Sequence, residues 1–101
     1  MESLLNSINT RLNYIINHTD NNFIIKTCNV ISEKLKPIKQ REIKTEKLLN
    51  NVCNEIINRD IARMKSVINI DKETKTVVRK MDELASMIEQ IKSSYFADTA
   101  N

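Results

Sequence analysis

The side chains that could do chemistry are few and widely spaced. His18 is the one histidine, and Cys28 and Cys53 lie far apart with no CxxC spacing. A structural zinc needs four thiolate or imidazole ligands, so these three cannot complete one. Nucleophilic catalysis needs a thiol or hydroxyl beside a base, and His18 sits in a polar turn with no such partner at a readable spacing. Asp82 and Glu83 are adjacent, and neighbours on a helix diverge by about 100°, so they do not act as paired carboxylates. The chain has no Gly, which removes the phosphate-cradling loops of nucleotide-binding folds. These residues predict a non-enzymatic protein with no cofactor and no metal.

Two charged features carry more information. Asp60 and Arg63 fall at core positions of an otherwise apolar repeat, where a charged pair costs desolvation energy. They are expected to form a polar layer that sets register rather than adding stability. The second feature is basic. Lys34, Lys36, Lys39, Arg41, Lys44 and Lys47 outnumber Glu33, Glu42 and Glu46, and that local excess equals the whole net charge of +3. Lys36, Lys39, Arg41 and Lys44 are candidate phosphate contacts, which would make binding salt-dependent. The interleaved Glu residues and the lack of an aromatic residue for stacking favour a salt-bridged linker instead.

The elements that must position these groups are helical. Without Gly, and with Pro37 as the single proline, the 101 residues have no economical source of the φ > 0 turns of a β-sandwich or barrel. Leu4, Leu5, Ile8, Leu12, Ile15 and Ile16 form one stripe at helical spacing. A polar run over 17–22 interrupts it, with Thr19 or Asp20 as candidate N-caps. Ile24, Cys28, Ile31 and Leu35 form the next stripe, which Pro37 is expected to end. Two such stripes joined by a short turn read as a helical hairpin.

Beyond Pro37 a heptad holds one phase. Leu49, Cys53, Ile56, Val67, Ile70, Val77, Met81, Leu84, Ile88, Ile91 and Tyr95 form the expected oligomerisation seam. The opposite face (Asn51, Asn58, Lys65, Lys72, Arg79, Ser86 and Ser93) is polar throughout. Ile57, Met64, Val78, Ile61 and Ile68 widen the seam beyond a two-stranded coil, so more than two helices per bundle are expected. Asn69–Thr74 contains poor helix formers, and Asp71 is a candidate N-cap. The unchanged phase across it predicts one continuous helix. A break there would instead allow a monomeric four-helix bundle.

The expectation is therefore an all-α fold. Residues 1–37 form a short N-terminal helical hairpin, 38–48 a basic connection, 49–96 a long amphipathic coiled-coil helix, and 97–101 a frayed tail. Since a hairpin of half its length cannot cover the long helix, the chain is expected to be a homo-oligomer. Tyr95 closes the last core layer or, with Phe96, forms an aromatic anchor for a partner. The start lacks the basic and apolar regions of a signal peptide, and no run is long enough to span a membrane. An intracellular, cytoplasmic location with reduced thiols is the default. The abundance of Ile, Asn and Lys reflects A/T-rich codons, as in AT-rich DNA viruses, low-GC bacteria and some protists. Two functions fit. One is a structural or assembly subunit, a scaffold or adaptor that self-associates and docks a protein partner. The other is an oligomeric nucleic-acid-binding factor whose basic segments form a collar.

Overall fold

The computed structural model describes residues 2–69 and 74–99, with the side chains of 96–99 outside that description. The described residues are helical, with short connections and no strand. Helix α1 (Glu2–Asn17) buries Leu5, Ile8, Leu12 and Ile15, at steps of three and four that keep one face inward. Its end is closed by His18, whose Nδ1–H donates to the Tyr14 carbonyl at 2.8 Å. The His18 ring also stacks on Tyr14 at 3.9 Å between centroids.

Helix α2 (Asn22–Lys39) is capped by Asn21, whose Oδ1 accepts from the N–H groups of Phe23 and Ile24 at 2.9 and 3.2 Å. The cap is therefore neither Thr19 nor Asp20. Thr19 instead accepts from the Asn21 N–H at 3.2 Å, orienting the capping residue. Pro37 lies inside α2 rather than ending it. In the last turn its missing N–H removes one bond, to the carbonyl of exposed Glu33. Continuing the helix buries Ile38 completely, which stabilises by about 1.5–3 kcal/mol.

The helix stops two residues after Pro37, at Lys39. The N–H groups of Arg41 and Glu42 donate to the carbonyls of Ile38 and Pro37, at 3.1 and 2.8 Å. This is the Schellman pattern, and it places Arg41 at φ 58, where Gly normally sits.

The single long helix expected over 49–96 is replaced by two antiparallel rods. The first begins at Thr45, whose Oγ1 caps α3 (Glu46–Asn50). It continues through a π-helical segment (Asn51–Ile57) into α4 (Asn58–Ser66). The wider turn is visible in the Asn58 N–H, which donates to the Cys53 carbonyl five residues back. The second rod is α5 (Thr74–Thr99), which buries Val77, Met81, Leu84, Ile88, Ile91 and Tyr95. Ile70 and Asp71, where a seam residue and a break were considered, lie outside the described residues.

Energy favours the folded-back path. Burial gives about 1.5–3 kcal/mol for each large aliphatic side chain. Nucleating a new helix costs roughly 4 kcal/mol. The six buried residues of α5 exceed that cost severalfold.

Each rod packs on two others: α1 on α2 and α5, and the α3–α4 rod on α2 and α5. Contacts run in opposite sequence directions between α1 and α5 (Arg11–Glu83, Tyr14–Lys80), α2 and α4 (Lys34–Asp60, Cys28–Met64), and α4 and α5 (Asn58–Glu89, Lys65–Asp82), so these neighbours are antiparallel. The result is a four-helix bundle of 45 × 22 × 17 Å with one aliphatic core. No helix among the described residues is long and apolar enough to cross a membrane.

Candidate binding surfaces

The seam residues divide into two groups. Leu49, Cys53, Val77, Met81, Leu84, Ile88, Ile91 and Tyr95 are buried, and their contacts are made within this one chain. Ile56 is only half-buried and Val67 is 44% exposed. Their places are taken by Ile57, Ile61 and Met64. The π-helical segment explains the exchange: its one extra residue per turn rotates everything after it, moving Ile57 inward and Val67 outward.

The same rotation separates Asp60 from Arg63. Asp60 stays buried at 8% exposure, and its carboxylate is held by the Lys34 ammonium of α2. Arg63 is exposed and forms no polar core layer with it. The charge that stabilises Asp60 comes from a different helix, and sequence spacing alone could not have indicated Lys34.

Polar groups line the contact between the third rod and α5. Asn58 Nδ2 donates to Glu89 Oε1 at 2.9 Å, and Asn54 reaches the same carboxylate. Lys92 pairs with Glu46 at 2.7 Å, and Lys65 with Asp82 at 2.6 Å. On the opposite side of α5, Arg11 Nε donates to Glu83 at 2.8 Å, which holds that carboxyl below its usual range. Lys80 contributes from the same side, and its Nζ also lies 5.5 Å over the Tyr14 ring.

The thiols are core residues. Cys28 donates to the Met64 thioether at 3.6 Å, and neither Cys28 nor Cys53 is bonded in a disulfide. Burial pushes both thiols up to about 11, and the nearby Glu89 carboxylate adds to the effect at Cys53. Thiols so protonated are poor nucleophiles. Among the described residues no three His, Cys, Asp or Glu side chains cluster to hold a metal ion.

Among the described residues, four large apolar side chains remain substantially exposed: Phe23, Val30, Leu48 and Val67. Phe23 and Val30 are seven apart, hence on one outer face of α2. An open cleft of about 680 Å³ lies beside Leu48, lined also by Glu46, Lys47, Asn50, Asn51 and Glu55.

The basic segment is distributed over two elements. Lys36 and Lys39 are in the last turn of α2, where cations complement the helix dipole, and Arg41 and Lys44 are in the loop that follows. All four are exposed. Lys36 is paired with Glu33 at 2.9 Å, and Lys39 and Arg41 border clefts between α1 and α2. Asn9 and Ser32, which also line the first cleft, belong to separate helices and carry no signal in sequence. The side chain of Phe96 lies outside the described set. Comparison with protein-family models, with curated proteins and with solved structures finds no match in any of the three.

Proposed function

We propose that this chain is a non-enzymatic assembly subunit, a helical scaffold or adaptor that docks a protein partner on its outer faces. The observation that carries the reading is the placement of its large apolar side chains. The interior is packed with aliphatic residues through all four rods, while Phe23 and Val30 stand on one outward face of α2. Apolar anchors on a rigid helix face are a common means of holding a partner.

Self-association is the second part of the proposal. The buried heptad residues are occupied within the chain, so contacts between copies run over the bundle's exterior. Light scattering at micromolar concentration is expected to give a multiple of 11.7 kDa. The monomer mass would remove self-association from the reading and leave docking intact.

The test of docking is co-purification from the native source, comparing wild type with Phe23→Ser/Val30→Ser. Loss of a stoichiometric partner with unchanged helicity supports the proposal. Recovery of nucleic acid in place of protein would favour the alternative, an oligomeric nucleic-acid-binding factor. That alternative draws on exposed Lys39, Arg41 and Lys44, and predicts binding that weakens steeply with salt and on neutralising them.

A further inference from the structure

Two clefts meet at Lys39. The first, of about 130 Å³, is bordered by Leu5, Asn9, Ser32, Leu35, Lys36 and Lys39. The second, of about 260 Å³, is bordered by Glu2, Leu5, Lys39 and Arg41. Sharing Leu5 and Lys39, they form one groove between the start of α1 and the end of α2. Its floor is apolar at Leu5 and Leu35, its middle polar at Asn9 and Ser32, and its rim basic.

Several effects make that rim attractive to anions. Lys39 makes no ion pair among the described residues. The Lys36–Glu33 pair is held between side chains 59% and 68% exposed, so water screens it and exchange for another carboxylate costs little. The positive end of the α1 dipole opens at the same place. The opposing negative end of α2 is muted, because Arg41 and Glu42 donate their N–H groups to its last carbonyls.

We propose that this groove docks an acidic amphipathic segment of a protein partner. Carboxylates of the segment meet Lys39 and Arg41, and an apolar side chain lies over Leu5 and Leu35. The inference rests on the assembly-subunit reading and names where its partner sits. Charge complementarity selects the occupant, and two features select peptide over nucleic acid. No lining residue is aromatic, so no base can stack. The volumes suit individual side chains.

The experiment is a titration of isotope-labelled protein followed by backbone amide shifts. The probes are a synthetic peptide of Glu and Leu, a counterpart of equal charge with serine replacing leucine, and oligo(dT). The Glu–Leu peptide is expected to move the amides of Leu5, Asn9, Ser32, Leu35 and Lys39. Its affinity should fall about tenfold or more in Lys39→Glu, and a smaller loss is expected in Arg41→Gln. The serine counterpart should bind more weakly than its parent. Absence of binding, shifts centred elsewhere, equal binding of the two peptides, or tighter binding of oligo(dT) through Lys39 would each overturn the proposal. Circular dichroism of Lys39→Glu checks that the bundle is intact. A partner from the native source that survives Lys39→Glu but is lost in Phe23→Ser/Val30→Ser would eliminate the groove and leave the assembly reading standing.

Discussion

Asp60 is ion-paired with Lys34 on the neighbouring helix α2, not with Arg63 one turn along its own helix. A carboxylate this buried is stable only while its charge is compensated, so the two partners are not equivalent under substitution. Lys34→Met leaves the charge at Asp60 without its ammonium and is expected to cost about 1–3 kcal/mol. Lys34→Met/Asp60→Leu should recover most of that loss, because an apolar pair fills the same space. Arg63→Leu should change stability by less than about 0.5 kcal/mol. Urea unfolding of the four proteins checks the set, and an Arg63→Leu effect as large as that of Lys34→Met would contradict the assignment.

Removing Glu55 should be tolerated. The buried residues Leu49, Cys53, Ile57, Ile61 and Met64 are separated by 4, 4, 4 and 3 positions, and the π-helical segment accommodates that spacing. Deleting Glu55, which is exposed, changes the steps to 4, 3, 4 and 3, which an ordinary α-helix satisfies. The deletion is expected to keep the melting temperature or raise it. Deleting exposed Ser86 in α5, where steps of 4, 3, 4, 3 and 4 already fit an α-helix, instead rotates Val77–Leu84 against Ile88–Tyr95 and should unfold the bundle. Thermal melts of the two deletions, equal in length, test the π-helical phase shift directly.

Arg41→Gly should stabilise the fold. Arg41 holds φ 58 at the end of α2, a conformation that costs a residue with a Cβ about 1 kcal/mol and costs Gly almost nothing. The gain is partly offset by the greater freedom of Gly in the unfolded chain, leaving an expected increase of about 0.5 kcal/mol. Arg41→Ala keeps the Cβ and should show no such gain. Equal stability of the Gly and Ala variants in denaturant would argue against strain at this position.

Alkaline pH should weaken the bundle through its thiols. In the unfolded chain each cysteine ionises near its ordinary 9.0, while in the bundle burial holds the proton up to about 11. Between those values the folded state binds more protons, so stability falls as pH rises through the window. Cys28→Ala/Cys53→Ala should show a shallower decline over the same range than wild type. Near neutral pH both native thiols should resist a disulfide reagent and react only on unfolding. Rapid labelling of the folded protein would contradict their burial.

Much of the secondary structure was legible in sequence. The stripes through Leu5–Ile15 and Ile24–Leu35 are local patterns, and a helix with such a stripe needs only some apolar surface to face. The seam from Val77 to Tyr95 was equally readable, and the same residues line α5. Its partners were not. A heptad marks which face is buried and not what covers it, so a seam assigned to other chains is satisfied here by α1 and the α3–α4 rod.

Two places depended on tertiary structure. The heptad phase is the same at Leu49 and at Val77, which favoured one continuous rod. Between them lie a π-helical segment that advances the phase and a chain reversal after Ser66 that makes phase irrelevant, since a helix folded back sets its own seam. Ile56 and Ile57 are adjacent and equally apolar, and nothing local distinguishes which turns inward. The sequence by itself determined the all-helical class, the apolar stripes of α1, α2 and α5, and the oddity of a charge at Asp60. Only the assembled bundle decided the pairing with Lys34, the rotation that buries Ile57 and Met64, and the groove that joins Leu5 to Lys39. Those outcomes depend on contacts between residues distant in the chain, whose energies exist only once the helices have packed.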